Sequence, residues 1–325
     1  VKRREALARL GVIGIASMSG ARAQTRVLPV VGVLRSTPAA GFEHVVVALR
    51  EGLAEAGMVD GRDVSIVQRW ADNDLARLPA LAAELGRVAA VIVANSQAAV
   101  AAKSAAPGVP LVFVSADDPV KRGLVDSFAR PGGLVTGVTF FGGGQIGAKR
   151  FELLAEAVPR ADVFGFLRDP SWGSGSLEAA DAQAVASRTG RRLLQATADH
   201  AGELGRAYES LVAQGVRAII VGGSPEFTSA RRALVDLAAR HRIPAIYDQR
   251  DFPAIGGLMS YGGSLVGAYR QAGEYAARIV RGARPAELPV LQPTTFSLVV
   301  NVATARDLKL ELPRALILRA DEVIG

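Results

Sequence analysis

No cysteine occurs in the 325 residues of this chain, which excludes disulfides, thiolate metal ligands and thiol nucleophiles. A lipid-modified cysteine after a leader is excluded on the same ground. Histidine is nearly as scarce: His44, His200 and His241 stand apart, with no spacing suited to a metal. Aromatic residues make up 6% of the chain, and no basic run is interleaved with them, so no nucleic-acid surface is indicated. No stretch supplies the roughly 20 uninterrupted apolar residues that a membrane-spanning helix needs. A Walker loop and a nucleophile elbow are also missing. These absences leave no sign of catalysis, of a cofactor or of a membrane span, so the expectation is a protein that is not an enzyme, takes no cofactor and is not inserted into a membrane.

Half of the chain is apolar and 35 residues are glycine, a composition that packs cores rather than staying disordered. The length is enough for two domains with separate cores. Lys2, Arg3 and Arg4 precede a short apolar run at residues 10–18, and Ala21-Arg22-Ala23 supplies a small-x-small cleavage site. That order is the order of an export leader, so residues 1–23 are expected to be a signal peptide and the mature chain to start near Gln24. Arg3-Arg4 followed by Leu7 also fits a twin-arginine leader loosely. Loss of Lys2, Arg3, Arg4, Arg9, Arg22 and Glu5 with the leader lowers the formal charge from +7 to +3. The remaining cations are scattered among acids and read as solvated helix faces. With a leader and no lipid anchor, the expected location is the periplasm.

One design is used twice. Val31-Gly32-Val33-Leu34-Arg35-Ser36-Thr37-Pro38 returns as Phe164-Gly165-Phe166-Leu167-Arg168-Asp169-Pro170. Gln68 to Ser96 is echoed by Gln195 to Ser224, and Pro110 to Pro119 by Pro244 to Pro253. Three matched pairs in the same order imply two lobes of similar topology with a cleft between them. Short β-branched runs at residues 30–34, 64–67, 91–93 and 111–114, and again at 163–167, 193–196, 218–221 and 245–247, alternate with amphipathic segments. In one of these Phe42, Val46, Leu49, Leu53 and Ala56 share a helix face. Strands apolar at successive positions and separated by helices belong to parallel sheets covered on both sides. The expected fold is therefore α/β, two doubly wound parallel-sheet lobes joined by a hinge. The first lobe is expected over residues 24–140, completed by part of 260–290, and the second over 141–259, completed by part of 291–325. Glycine-rich stretches at 140–147 and 256–263 are the expected crossings. A helix at 264–282 and a strand at 295–300 should complete one lobe each.

In open α/β sheets ligands bind beyond the carboxyl ends of the strands, where helix N-termini present free N–H groups. The matched turns lie there, and they offer Ser36, Thr37, Asn95, Ser96, Ser115 and Asp117 from one lobe and Asp169, Trp172, Ser224, Tyr247 and Asp248 from the other. Hydroxyls beside helix N–H groups suit a carboxylate, and Asp169 or Asp248 suits an ammonium group, so together they suit a zwitterion. Plainer roles are open to each. Ser and Thr before Pro38 or Pro225 are ordinary N-caps, and Asp117 can simply stabilise the turn before Pro119. Phe140, Trp172, Tyr247 and Tyr261 can line an apolar pocket or sit in the core; Trp172 is the best aromatic candidate, because residues 170–175 read as an exposed loop. Gly142-Gly143-Gly144-Gln145-Ile146-Gly147 matches G-x-G-x-x-G between an expected strand and helix. A dinucleotide-binding enzyme is the weaker alternative, since the motif falls at the expected lobe crossing of an exported protein.

Several motifs carry a resemblance that runs from the leader to the end of the chain. They are Asp117-Asp118-Pro119-Val120 with Gly123-Leu124-Val125, Arg130-Pro131-Gly132-Gly133 with Thr136-Gly137, and Gly256-Gly257-Leu258-Met259-Ser260-Tyr261-Gly262. Leu288-Pro289-Val290, Gln292-Pro293-Thr294, Val300-Asn301 and Arg319-Ala320-Asp321-Glu322-Val323-Ile324 complete the set. With these motifs the chain resembles the ABC-transporter substrate-binding protein family that includes the tryptophan-binding TrpX-like proteins. The resemblance implies a type I periplasmic-binding-protein fold, hinge closure around a small carboxylate-bearing ligand such as an aromatic amino acid, and delivery to an ABC permease with its ATPase by a monomer. A sensory module presenting its ligand to a membrane receptor would use the same fold. The chain departs from the family pattern at Gly142-Gly143-Gly144, at Asp169-Pro170, where Asn-Pro is common, and at Asn95-Ser96-Gln97, where a Thr-Pro-type turn is common. All three departures flank the expected cleft, and they bear on which ligand is taken.

Overall fold

A computed structural model describes residues 27–140, 145–292 and 295–325. The expected leader and the Gly142-Gly143-Gly144 run lie outside the described residues. The first part of the chain folds as β1 (Val30–Arg35), α1 (Glu43–Glu55), β2 (Ser65–Trp70), α2 (Leu78–Gly86), β3 (Ala89–Asn95), α3 (Ser96–Ala105), β4 (Leu111–Ser115) and β5 (Val135–Thr139). Then come α4 (Ile146–Ala157), β6 (Val163–Arg168), α5 (Gly173–Arg188), β7 (Arg192–Thr197), α6 (Leu204–Ala213), β8 (Ala218–Val221), α7 (Pro225–Ser229), α8 (Arg231–His241), β9 (Ala245–Tyr247) and β10 (Met259–Gly262). The chain closes with α9 (Leu265–Val280), β11 (Ser297–Asn301), α10 (Val302–Asp307), α11 (Arg314–Leu318) and β12 (Glu322–Ile324). No described helix is long and apolar enough to cross a membrane.

These elements build two sheets. The first has the order β2-β1-β3-β4-β5 with all neighbours parallel. The second has the order β12-β11-β10-β9-β8-β6-β7 and is parallel except where β10 meets β11. The two-lobe α/β fold expected from the sequence is the fold observed. β10 is the main surprise. Residues 256–263 are expected as a crossing, yet Met259 and Ser260 pair in parallel with Ile246 and Tyr247 of β9, and the chain leaves the second sheet only after Gly262. A four-residue strand containing Ser and Gly carries no periodic signal; pairing on both sides holds it in place.

Apolar side chains cover both faces of each sheet. On one face of the first sheet α1 and α9 lie together, burying Val45, Leu49, Tyr269 and Ala272 against Val31, Val93 and Val112. In the second lobe α4 and α5 form the corresponding pair, with Phe151, Leu154 and Ala182 packed on Phe164 and Phe166. Both pairs approach until backbones touch. A Cβ on Gly52 would lie 1.8 Å from the Arg270 carbonyl oxygen, and one on Gly147 would lie 1.9 Å from the Glu178 carbonyl oxygen. Only glycine allows that contact. The helix after the first strand of each lobe therefore packs on a helix that enters the lobe after the chain has crossed from the other one.

Candidate functional site

The carboxyl ends of β1, β3, β8 and β9 converge on one cavity between the lobes. Alternation along β1 sends Val31, Val33 and Arg35 to the same face. The two valines join the core, and Arg35, at the strand's end, reaches the cavity while only 3% exposed. Its Nε donates to Thr37 Oγ1 at 3.1 Å, and another of its nitrogens donates to the Tyr269 hydroxyl. The guanidinium carbon lies 4.3 Å from the Phe42 ring centre, 5.3 Å from Tyr269 and 5.8 Å from Trp70. No carboxylate pairs with Arg35 among the described residues. Burial lowers its pKa, the Tyr269 hydroxyl opposes that shift, and a guanidinium keeps its proton in any case.

The second lobe brings the opposite charge. Asp248 follows β9 and lines the same cavity, 9% exposed. Behind it Arg150 of α4 donates to Glu178 Oε2 of α5 at 2.7 Å and to the Tyr261 carbonyl at 2.8 Å, and Gly223 N–H donates to Glu178 at 3.3 Å. Burial raises the pKa of both Asp248 and Glu178, with Arg150 opposing. Two buried carboxyl groups thus share one cation, and the site has room for another positive charge. Cation in one lobe and acid in the other give the cavity a direction.

Aromatic groups fill the remaining walls. Phe42, Phe140, Trp172 and Tyr269 all line the cavity. Trp172 precedes α5, is 1% exposed, and lies under the Arg122 guanidinium at 5.1 Å. Its indole Nε1 is buried with no hydrogen-bond partner among the described residues. A buried donor of this kind needs an acceptor. The cavity is small, about 40 Å³.

Of the positions expected from the sequence, Asn95, Ser96, Phe140, Trp172, Ser224 and Asp248 come together around this cavity. Ser224 also caps α7 by accepting from Phe227 N–H at 3.0 Å, so capping and lining coincide. The other six lie outside the lining. Ser36 exchanges hydrogen bonds with Asn95 through its N–H and its Oγ. Thr37 supports Arg35, and Ser115 bonds Ser96 Oγ at 2.8 Å and the Asp117 backbone. Asp117 accepts from Arg122 and from Ser174 N–H across the cleft, and burial raises its pKa while Arg122 opposes. Asp169 accepts from Ser171 in its own turn. Tyr247 points into the core instead and stacks on Phe252 at 4.3 Å, because alternation in β9 places it opposite Ile246. Sequence reasoning missed Arg35, Phe42, Thr228, Gln249 and Tyr269. A signal for Arg35 existed: it continues the inward face of Val31 and Val33. His200, apart in sequence from the other histidines, does come within 4.8 Å of Asp199 and Glu203, but that group is away from the cavity.

Further contacts close the rim from both sides. Arg231 donates to the Gly41 carbonyl at 3.2 Å, His44 Nε2 lies 3.4 Å from Asp251, and Ser174 N–H reaches Asp117 at 3.3 Å.

Comparison with known proteins agrees with this architecture. A tyrosine-binding protein of Clostridioides difficile (strain R20291) is 22% identical over 263 residues, covering 80% of this chain and 75% of the relative. A solved ABC domain from Streptococcus pneumonia in complex with L-Trp matches with a TM-score of 0.83 at 22% identity, over 92% of this chain and all of that one. A ligand-free, open substrate binding protein with adhesive properties from Clostridium difficile matches over the same shares at 22% identity, with a TM-score of 0.66. The family model described as ABC transporter substrate binding protein matches residues 31–324. With that match over nearly the whole chain and the type I periplasmic-binding-protein fold in place, the chain belongs to the ABC transporter substrate-binding proteins, a family of carriers and not of enzymes.

Proposed function

We propose that the protein captures a zwitterionic amino acid with an aromatic or large apolar side chain by closing its two lobes on it. The observation that carries this reading is that Arg35, a guanidinium with no carboxylate partner among the described residues, in one lobe and the buried carboxyl of Asp248 in the other both line one cavity. The ligand carboxylate goes to Arg35 and its ammonium group to Asp248. Its side chain lies among Phe42, Phe140 and Trp172, whose rings exceed what a plain carboxylate needs. Only a ligand touching both lobes favours the closed state, which makes closure selective. The rim contacts of Arg231, His44 and Ser174 support a closed arrangement. So does the better overlay on the L-Trp complex than on the ligand-free, open protein. The segments flanking β5, β10 and β11 serve as the hinge, and the second lobe runs on through Gly262 rather than ending at residue 259. Export of a monomer to the periplasm and delivery to an ABC permease belong to the same proposal, supported by the family and the expected leader.

The test is calorimetric titration of the chain from Gln24 with L-Trp, L-Tyr, L-Leu, the corresponding amines and the corresponding carboxylic acids. Micromolar or tighter binding of an aromatic amino acid, with both half-ligands at least about 100-fold weaker, is the expected outcome. Equal binding of an amine or acid alone would remove the two-pole site.

A further inference from the structure

We propose that the pole of the second lobe opposite the cleft carries a second binding site, for an organic phosphate. A pocket of about 670 Å³ opens there, far larger than the cleft cavity, and Arg160, Arg217, Arg242 and Lys309 all line it. Arg160 lies just before β6, Arg217 just before β8, Arg242 two residues before Pro244 and β9, and Lys309 after α10. Four separate connections thus deliver one cation each to the same hollow. The cleft residues lie at the other ends of these strands, about 20 Å away at 3.3 Å per residue along β6. An occupant of this pocket does not compete for the cleft.

What sets these four cations together is that they share one hollow and lack an acidic partner there. Arg50, Arg62, Arg69, Arg77, Arg250 and Arg270 each face a carboxylate. Arg160, Arg217, Arg242 and Lys309 form no ion pair among the described residues, and Glu311 is the one acid in the pocket lining. Their ordinary role would be to offset helix C-termini, since α4, α6, α8 and α10 all end nearby. Each terminus carries about half a negative charge. Four such ends and Glu311 leave the pocket positive by about one unit against four cations, so the dipoles do not neutralise it. Backbone conformation adds to the case. Arg242 (φ 52°) and Lys309 (φ 57°) hold the left-handed geometry that glycine takes freely after a helix, and both positions carry a long cation instead.

The lining between the charges is apolar, formed by Val158, Pro159, Pro244 and Leu310. A single inorganic ion would leave most of it bare. A phosphate attached to an organic body fits both parts, with the phosphate on the arginines and the body on the apolar floor. The source can be a soluble nucleotide or the headgroup of an anionic lipid, and the chemistry recognised is the same.

ADP is the soluble probe, followed by calorimetry and chemical-shift changes at low salt; vesicles of phosphatidylglycerol in phosphatidylcholine, against phosphatidylcholine alone, are the membrane probe. The expected result is binding of at least one probe that weakens with salt and falls roughly tenfold or more in the double variant Arg217→Glu, Lys309→Glu. Asp248→Asn, altered only in the cleft, should bind that probe as the wild type does. ADP binding identifies a soluble source, and binding confined to phosphatidylglycerol vesicles identifies a headgroup. The proposal is overturned if neither probe binds, if binding survives the double reversal, or if Asp248→Asn abolishes it. Should the double variant fail to give a cooperative melt, Arg217→Gln is read in its place, and an unchanged affinity there also overturns the site.

Discussion

Replacing Arg35 by Met separates ligand recognition from stability more sharply than any other change in the cleft. Methionine retains the apolar stem that packs beside Phe42 and Tyr269 but removes a charge that is 3% exposed. In the empty protein that charge has lost its hydration, at an effective cost of several kcal/mol. Contacts with three rings, worth about 0.5–2 kcal/mol each, and hydrogen bonds to Thr37 and Tyr269 offset the loss. These terms nearly cancel, so the unliganded stability should move by no more than about 2 kcal/mol in either direction. The ligand has no such compensation. Losing the partner of its carboxylate costs about 2–5 kcal/mol, which is a rise in Kd of about 30-fold to several thousand-fold. At an amino-acid concentration that gives the wild type about 2.7 kcal/mol of stabilisation, a variant weakened 100-fold gains only about 0.4 kcal/mol. Calorimetric titration reads the first quantity and melting with and without ligand reads the second. An amine lacking the carboxylate should bind wild type and variant alike. If the variant binds the amino acid within threefold of wild type, Arg35 is not the carboxylate partner.

The acid pole has its own pH signature. Burial raises Asp248 and Glu178 above their ordinary values of 3.8 and 4.5, so the folded protein holds protons that the unfolded chain has released, and unliganded stability should fall as the pH rises through that window. Affinity for the ammonium group should rise over the same range, because only ionised Asp248 attracts it; a flat affinity between pH 4 and 7, or one that stays pH-dependent in Asp248→Asn, would count against the assignment. Trp172→Phe removes the unpartnered Nε1 donor and keeps an aromatic wall, so we expect about a five- to tenfold loss of affinity with the melting point unchanged or slightly higher. Arg231→Ala deletes a rim contact to Gly41 and should weaken binding a few-fold through faster ligand release, measured by stopped flow. Gly52→Ala and Gly147→Ala each drive a Cβ into a backbone carbonyl and should lower stability by about 3 kcal/mol or more in denaturant melts.

The doubled pattern made the architecture readable before any coordinates. Runs such as Ala218–Val221 and Ala245–Tyr247 announce buried parallel strands because every position is apolar, and both occur at the expected residues. The edge strand Ser65–Trp70 extends three residues beyond its apolar start, since an edge exposed on one side tolerates Gln68 and Arg69. The site was half legible. Turns after strands are visible as hydroxyls and acids before proline, and six of those residues do meet at the cavity. Which way each side chain faces depends on pleat and on the opposite lobe, and neither is local. Thus Asp169 turns back to Ser171, while Tyr269, inside the helix expected at 264–282, reaches Arg35. Glu178 and Arg150 stay hidden in the sequence because each looks like an ordinary charge on an amphipathic helix; only the packing of α4 on α5 buries them together.

The close contact of α1 with α9 also constrains the order in which the molecule can be made. As the chain emerges from its N-terminus, all five strands of the first sheet are present by Thr139, yet the helix that seals their apolar face begins only at Leu265. Until then Val31, Val93 and Val112 lack their cover, and the first lobe cannot reach its final stability. The segment synthesised between is the bulk of the second lobe. Early completion of one half is therefore impossible, and a nascent chain stays loosely structured until most of it exists. If the chain is exported as proposed, such a delay keeps it in a translocatable form.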